Sequence, residues 1–263
     1  MVPPSALGAR HPEVERLRRL LRRRSDRASE RAFVVEGPKL VAEAIAAGAP
    51  LEAIYVADGV ELDLPPTDVP VHALQRGVLE RVADTVTPQP VLAICRSVDV
   101  PLAAIDATFV VVCVDLQDPG NAGTILRSAE AAGAGAVVFA GASVDVSNPK
   151  AVRASAGSLF HVPVVNGGDA VEVLDELGRR GLRRLGTVAR SGEPLDDADL
   201  TVPVALVLGN EAHGLPAEVD AVLDGHLTIP MAGRSESLNV GMATAVLCFE
   251  VARQRREVQE RRG

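Results

Sequence analysis

The 263-residue chain has no tryptophan, one tyrosine and five phenylalanines, and only Lys39 and Lys150 among its 27 basic residues are lysine. Cysteine is nearly as scarce. Cys95, Cys113 and Cys248 are odd in number, far apart and set in apolar stretches, which excludes a disulfide framework and a CxxC zinc pattern and predicts three buried thiols. No apolar run approaches the roughly 20 residues that cross a bilayer. Residues 1–10 lack the apolar core of a secretory signal, so the expected location is the cytoplasm. There is no Gly-Lys-Ser/Thr for a phosphate loop, no HExxH for zinc and no GxSxG for a nucleophilic serine. The glycine pair in Gly133-Ala134-Gly135 precedes a predicted strand instead of following one, and the sixth position is Val138, so a nicotinamide-binding fingerprint fails. A metal is not expected.

What is present is enough apolar sequence for a folded protein, 47% hydrophobic against 24% charged residues. The net charge of −8 argues against coating a nucleic acid by bulk electrostatics. Charge is nevertheless segregated: residues 10–31 hold nine arginines and four acids, a net of +5, leaving −13 on the rest. Taken alone, such a basic helix reads as a solvated face.

The length fits two domains. In the first half, apolar spacing at Val14, Leu17, Leu20 and Leu21 predicts a basic amphipathic helix over 12–24. A strand over 32–35, a helix from Gly37-Pro38 to Gly48, a strand over 51–56, a polar loop over 58–70, a helix over 74–83 and a strand over 91–95 complete a small α/β domain. It occupies residues 1–98, with the boundary in 97–106.

From residue 107 to 263, Val/Leu-rich strands over 109–114, 136–140, 185–188 and 204–208 alternate with helices over 123–132, 151–158 and 170–180. A long helix over 238–258 ends the chain. Uninterrupted apolar strands of this kind belong to parallel sheets covered on both faces.

Three segments place glycine and polar residues after buried strands, where α/β sheets bind ligands: residues 114–127 (VDLQDPGNAGTILR), 208–216 (LGNEAHGLP) and 229–241 (IPMAGRSESLNVG). Singly, each could be only a turn or a helix cap. In order and spacing they resemble motifs 1, 2 and 3 of the SPOUT superfamily, in its SpoU (TrmH) branch of RNA 2'-O-ribose methyltransferases. Phe33 to Leu40 (FVVEGPKL) is similar to the start of that family's ribosomal-protein-like RNA-binding domain. Asn148 to Phe160 (NPKAVRASAGSLF) resembles a segment found between its motifs 1 and 2.

The resemblance implies a trefoil-knotted α/β domain that binds S-adenosylmethionine in the knot, and a homodimer with each active site at the subunit interface. It assigns Arg127 to the target phosphate and ribose hydroxyl, with Asn121, Glu211 and Asn239 as further catalytic contacts. Gly209, Ile229, Met231 and Leu238 match cofactor-holding positions. Arg22, Arg23, Lys39, Arg153 and Arg234 become candidates for RNA contact, and with so few aromatic rings recognition must rest on RNA shape and phosphates. Ribosomal RNA is the expected substrate; transfer RNA, or a catalytically silent RNA-binding or ribosome-assembly role, are the alternatives. Many family members carry serine where this chain has Gly241, a departure that Ser237 could offset, although capping the last helix is its simpler role.

Overall fold

The computed structural model describes residues 6–61, 63–83 and 88–261, in two units that each bury apolar side chains. The units are Met1–Val98 with Ser147–Phe160, and Asp99–Val146 with His161–Gly263.

In the first unit, α1 (Pro12–Arg22) buries the predicted stripe of Val14, Leu17, Leu20 and Leu21. The helix does not continue to residue 24. Arg23 adopts an extended conformation, and a second helix, α2 (Arg24–Glu30), runs to Arg31 in the left-handed region. The strands are β1 (Ala32–Glu36), β2 (Leu51–Val56), β3 (Val71–Ala73) and β4 (Val91–Arg96), in the order β1-β4-β2-β3. Between them lie α3 (Pro38–Ala46) and the short α4 (Leu79–Val82).

The helix expected over 74–83 is mostly absent. Val71–Ala73 pairs parallel to β2, Leu74 donates its N–H to Val56 O at 2.8 Å, and only Leu79–Val82 turns helical. Here cross-strand hydrogen bonding overrides a short helical apolar pattern.

The second unit is a seven-stranded sheet of parallel pairings. It begins with β5 (Phe109–Val114), α5 (Pro119–Ala131) and β6 (Ala136–Ala140). The chain then supplies α6 (Pro149–Ala154) and a 3-10 turn at Ser158–Phe160 to the first unit. There Phe160 stacks on Phe33, and Arg153 pairs with Glu36 at 2.9 Å. Residues 148–160 therefore group with the amino-terminal unit, not with the carboxyl-terminal one as a simple division at 98–107 expects. The sequence could not show this because the contacts that decide it span more than 100 residues.

β7 (Val164–Asn166), α7 (Ala170–Arg179), β8 (Arg183–Thr187), β9 (Glu193–Pro194), β10 (Val204–Leu208), α8 (Ala217–Asp220), β11 (Gly225–Thr228) and α9 (Val240–Glu260) follow. The strand order is β7-β6-β5-β10-β8-β11-β9, so β10 is inserted between β5 and β8. Strands 109–114, 136–140 and 204–208 are fully buried, as a sheet covered on both faces requires. Among the described residues no helix is long and apolar enough to cross a membrane.

Helix α9 packs on α5 and is fastened at its far end. The Arg255 guanidinium donates to Thr108 O and Val202 O, both at 2.9 Å, and lies over the Phe109 ring. Gln254 accepts from Leu200 N and donates to Ala198 O, each at 2.9 Å. Cys95, Cys113 and Cys248 are all buried free thiols.

Candidate active site

The three glycine-bearing segments meet at the carboxyl ends of the central strands. The first follows β5. Asp118 caps α5, its carboxylate accepting Gly120 N at 2.5 Å and Asn121 N at 3.1 Å, and Pro119 supplies a first helical residue with no N–H to satisfy. This capping starts α5 at Pro119, four residues before the position expected from periodicity, and it puts Asn121 in the first turn.

The second segment follows β10. Gly209 lies against its own loop: a Cβ there would approach Gly214 C to 2.3 Å and Leu215 N to 2.6 Å. Glycine at 209 is thus dictated by the loop's self-contact, whatever else its backbone holds. Asn210 braces the loop, its Oδ1 accepting Ala212 N at 2.9 Å and its Nδ2 donating to Asp115 O at 2.9 Å. The brace links the second segment to the first across 95 residues.

Glu211 then reaches the start of α5. One carboxylate oxygen accepts Asn121 Nδ2 at 2.9 Å and Asp118 N at 3.1 Å, and the other accepts Gln117 N at 3.1 Å. Partial burial pushes this carboxyl up, but hydrogen bonds from Asn121 and from backbone N–H groups outweigh it and hold it below the usual carboxylate range.

The third segment ends at Asn239, which caps α9. Its Oδ1 accepts Gly241 N at 2.9 Å and its Nδ2 donates to Asn121 Oδ1 at 3.0 Å. Ser237, expected as the cap, lines the neighbouring cavity instead. The cap position is two residues later because the Asn239 side chain reaches the free N–H groups of Gly241 and Met242 at the helix start.

Asn239, Asn121 and Glu211 therefore form a directed chain. Backbone N–H groups fix Asn239 Oδ1, so its Nδ2 faces Asn121. Asn121 must then present Oδ1 to Asn239 and Nδ2 to the Glu211 carboxylate.

Beside this chain lies a cavity of 360 Å³, within the size range of small-ligand sites. Gly209, Ile229, Met231 and Leu238 line it, as do Glu211 and Asn239. The sequence reading missed Thr187, Val188 and Ala189, which close another wall. Their signal was their place at the end of β8, where a parallel sheet opens toward ligands. Among the described residues, no lysine or arginine belongs to the lining.

Arg127 lies exposed on α5, six residues beyond Asn121, and among the described residues its guanidinium has no ion pair or hydrogen bond. Gly241 packs against α5: a Cβ there would come within 3.0 Å of Thr124 Cγ2 and 3.2 Å of Asn239 Oδ1. Glycine at 241 thus leaves room for Thr124, where a side chain would press on it.

The basic candidates divide. Arg22, Lys39 and Arg234 are exposed and without partners among the described residues. Arg23 faces Asp26 at 4.0 Å, while Arg153 is engaged by Glu36, whose side chain is 2% exposed. Arg16, central in the basic helix, pairs internally with Glu30 and Glu52, both at 2.7 Å. Much of that helix's charge is consumed in folding.

Residues 108–249 match the SpoU rRNA Methylase family and residues 11–93 an MRM3-like substrate binding domain. The chain is 34% identical to the 23S rRNA (guanosine(2553)-2'-O)-methyltransferase RlmP of Bacillus subtilis, over 88% of this chain and 92% of that protein. It is also 34% identical to an uncharacterized tRNA/rRNA methyltransferase of Mycobacterium tuberculosis, over 99% of this chain and 86% of that protein. Among solved structures, the SpoU methyltransferase AviRb from Streptomyces viridochromogenes, in complex with AdoMet, superimposes with a TM-score of 0.85 at 31% identity, covering 94% of this chain and 98% of that one. The joint geometry of the three segments and these likenesses agree: the chain belongs to the SpoU (TrmH) family of SPOUT RNA methyltransferases.

Proposed function

We propose that the protein transfers a methyl group from S-adenosylmethionine to a ribose 2'-hydroxyl of ribosomal RNA. The observation that carries this reading is the Asn239–Asn121–Glu211 chain, set beside a cavity of cofactor size with the unpartnered Arg127 on the same helix. The RlmP likeness supports the 2'-oxygen and ribosomal RNA; the tRNA/rRNA name of the mycobacterial relative keeps transfer RNA as the alternative.

The lining fits the cofactor. Ile229, Met231 and Leu238 offer apolar surface to an adenosine, while the loops at Gly209 and Ile229 offer backbone groups. When bound, S-adenosylmethionine supplies a methyl carbon already activated by its sulfonium. The protein must then hold the acceptor in line and handle one proton.

Arg127 presents a planar array of five donors that suits a phosphate oxygen and a developing alkoxide. Asn121 stands at the first turn of the same helix, fixed from both sides, so that α5 cannot shift without breaking two hydrogen bonds. The guanidinium is normally always protonated, so its role is to orient the phosphate and stabilise charge.

Arg22, Arg23, Lys39 and Arg234 are the residues proposed for phosphate contact. Arg153 contributes through the fold of the first unit. A homodimer is part of the same reading: α9 exposes Met242 (63%), Val246 (43%) and Phe249 (49%) at helical spacing, an apolar stripe suited to a second copy. So is a knot, compatible with the late insertion of β10 between β5 and β8.

The test is transfer of a labelled methyl from S-adenosylmethionine to total cellular RNA, followed by alkaline hydrolysis. Label in alkali-resistant dinucleotides of ribosomal RNA is expected. Label on bases would overturn the 2'-oxygen assignment, and label in transfer RNA would transfer the activity to the alternative substrate.

A further inference from the structure

Among the described residues, two carboxylates and no basic side chain line the 360 Å³ cavity. They differ in what they can offer a ligand. Glu211 spends both oxygens on Gln117 N, Asp118 N and Asn121 Nδ2. Glu236 is exposed, lines the same cavity from the loop before α9, and among the described residues has no hydrogen bond or ion pair. Among the described residues nothing pairs with its negative charge, and the residue borders the ligand space.

S-adenosylmethionine carries one positive charge more than S-adenosylhomocysteine, because methyl transfer converts a sulfonium into a neutral thioether. The ammonium and carboxylate of the amino-acid end are the same in both. A free carboxylate in a cavity without cations will favour whichever of the two bears the extra charge.

We propose that Glu236 is a charge-selecting positioning residue, whose carboxylate makes the cavity prefer the sulfonium-bearing cofactor over the spent thioether. This inference rests on the S-adenosylmethionine reading above and adds to it a means of product release. Once the methyl has left, the attraction that held the sulfur end is gone, and the product departs more readily than the cofactor.

The experiment is calorimetric titration of the full chain, wild type and Glu236→Gln, with S-adenosylmethionine and with S-adenosylhomocysteine separately. Exposed ion pairs contribute up to about 1 kcal/mol, so S-adenosylmethionine affinity should fall about fivefold in the variant. S-adenosylhomocysteine affinity should be unchanged, so the preference for the cofactor shrinks by the same factor. Glu236→Asp, which keeps the charge, should restore most of the preference.

A ratio of the two affinities that does not change overturns the proposal. That outcome includes equal weakening of both ligands, which would mean contact with their shared ammonium. Failure of both compounds to bind the wild-type chain would instead remove the S-adenosylmethionine reading itself, and the proposal with it.

Discussion

Asn239 Nδ2 lies 3.0 Å from Asn121 Oδ1, joining the amino-terminal caps of α9 and α5 across 118 residues of chain. Each side chain has a second engagement that fixes its orientation: Asn239 Oδ1 on Gly241 N, and Asn121 Nδ2 on Glu211. Neither amide can flip without placing like groups opposite each other. The pair thus ties the third segment to the first, as Glu211 ties the second to the first.

Asn239→Ala should remove both the cap and the tie. The cap alone is worth about 1 kcal/mol, so the thermal midpoint falls. Methyl transfer should fall about a hundredfold, the scale on which small misplacements of reacting groups cost rate. Asn239→Asp separates the two roles, since it keeps the capping oxygen and loses the donor. Near wild-type stability with strongly reduced transfer is expected, and full activity in that variant would show that the tie is irrelevant to catalysis.

Arg127→Ala should leave S-adenosylmethionine affinity and stability close to wild type, because the side chain is exposed and has no partner among the described residues. Transfer should drop by about a hundred- to a thousandfold, as for loss of a donor that stabilises transition-state charge. Single-turnover assays with calorimetry on the same preparation check both halves. Retained turnover would refute the role given to Arg127.

The network around Glu211 should confer a pH dependence of stability. Its folded-state carboxyl lies below the usual range, so the ionised form adds stability above the unfolded value. That contribution disappears as pH falls through the folded value. Denaturation of wild type and Glu211→Gln should therefore differ most near neutral pH and converge below about pH 4.3, the unperturbed carboxyl value. A gap that stays constant down to pH 3 would count against the hydrogen-bond assignment.

Gly241→Ala would ordinarily favour a helix by about 1 kcal/mol. Here the new methyl meets Thr124 Cγ2 at 3.0 Å, so the variant is expected to be less stable than wild type. Trimming the neighbour with Thr124→Ser should make the double variant more stable than the sum of the single changes, by a coupling of about 0.5–3 kcal/mol. Additive effects in denaturant melts would mean that Gly241 and Thr124 do not constrain one another.

The strands over 109–114, 136–140 and 204–208 were legible to the residue, because burial on both faces demands unbroken Val, Leu and Ala, and turn residues bound each run. The weakly apolar β9 and β11 left no such trace. Asn121, Glu211 and Asn239 could be singled out through the resemblance of their segments to the family's motifs, and the cavity wall at 187–189 could not, since Thr187, Val188 and Ala189 look like any strand end. The basic helix was legible as a helix, but its arginines were not separable into bridges and free cations. Arg16 faces Glu30 and Glu52 only after β2 and α2 have packed beside it.

Local pattern, then, determined the apolar strands, the capped helices and the three polar turns, because each depends on residues within a few positions of one another. Tertiary structure alone decided that α6 joins the amino-terminal unit, that Asn239 rather than Ser237 caps α9, and that Gly241 accommodates Thr124. The first and last depend on which side chains meet across roughly 100 residues or more, and the cap is coupled to such a meeting through the Asn239–Asn121 hydrogen bond. No periodicity encodes such meetings, which are fixed when the parallel sheet sets the carboxyl ends of β5 and β10 side by side.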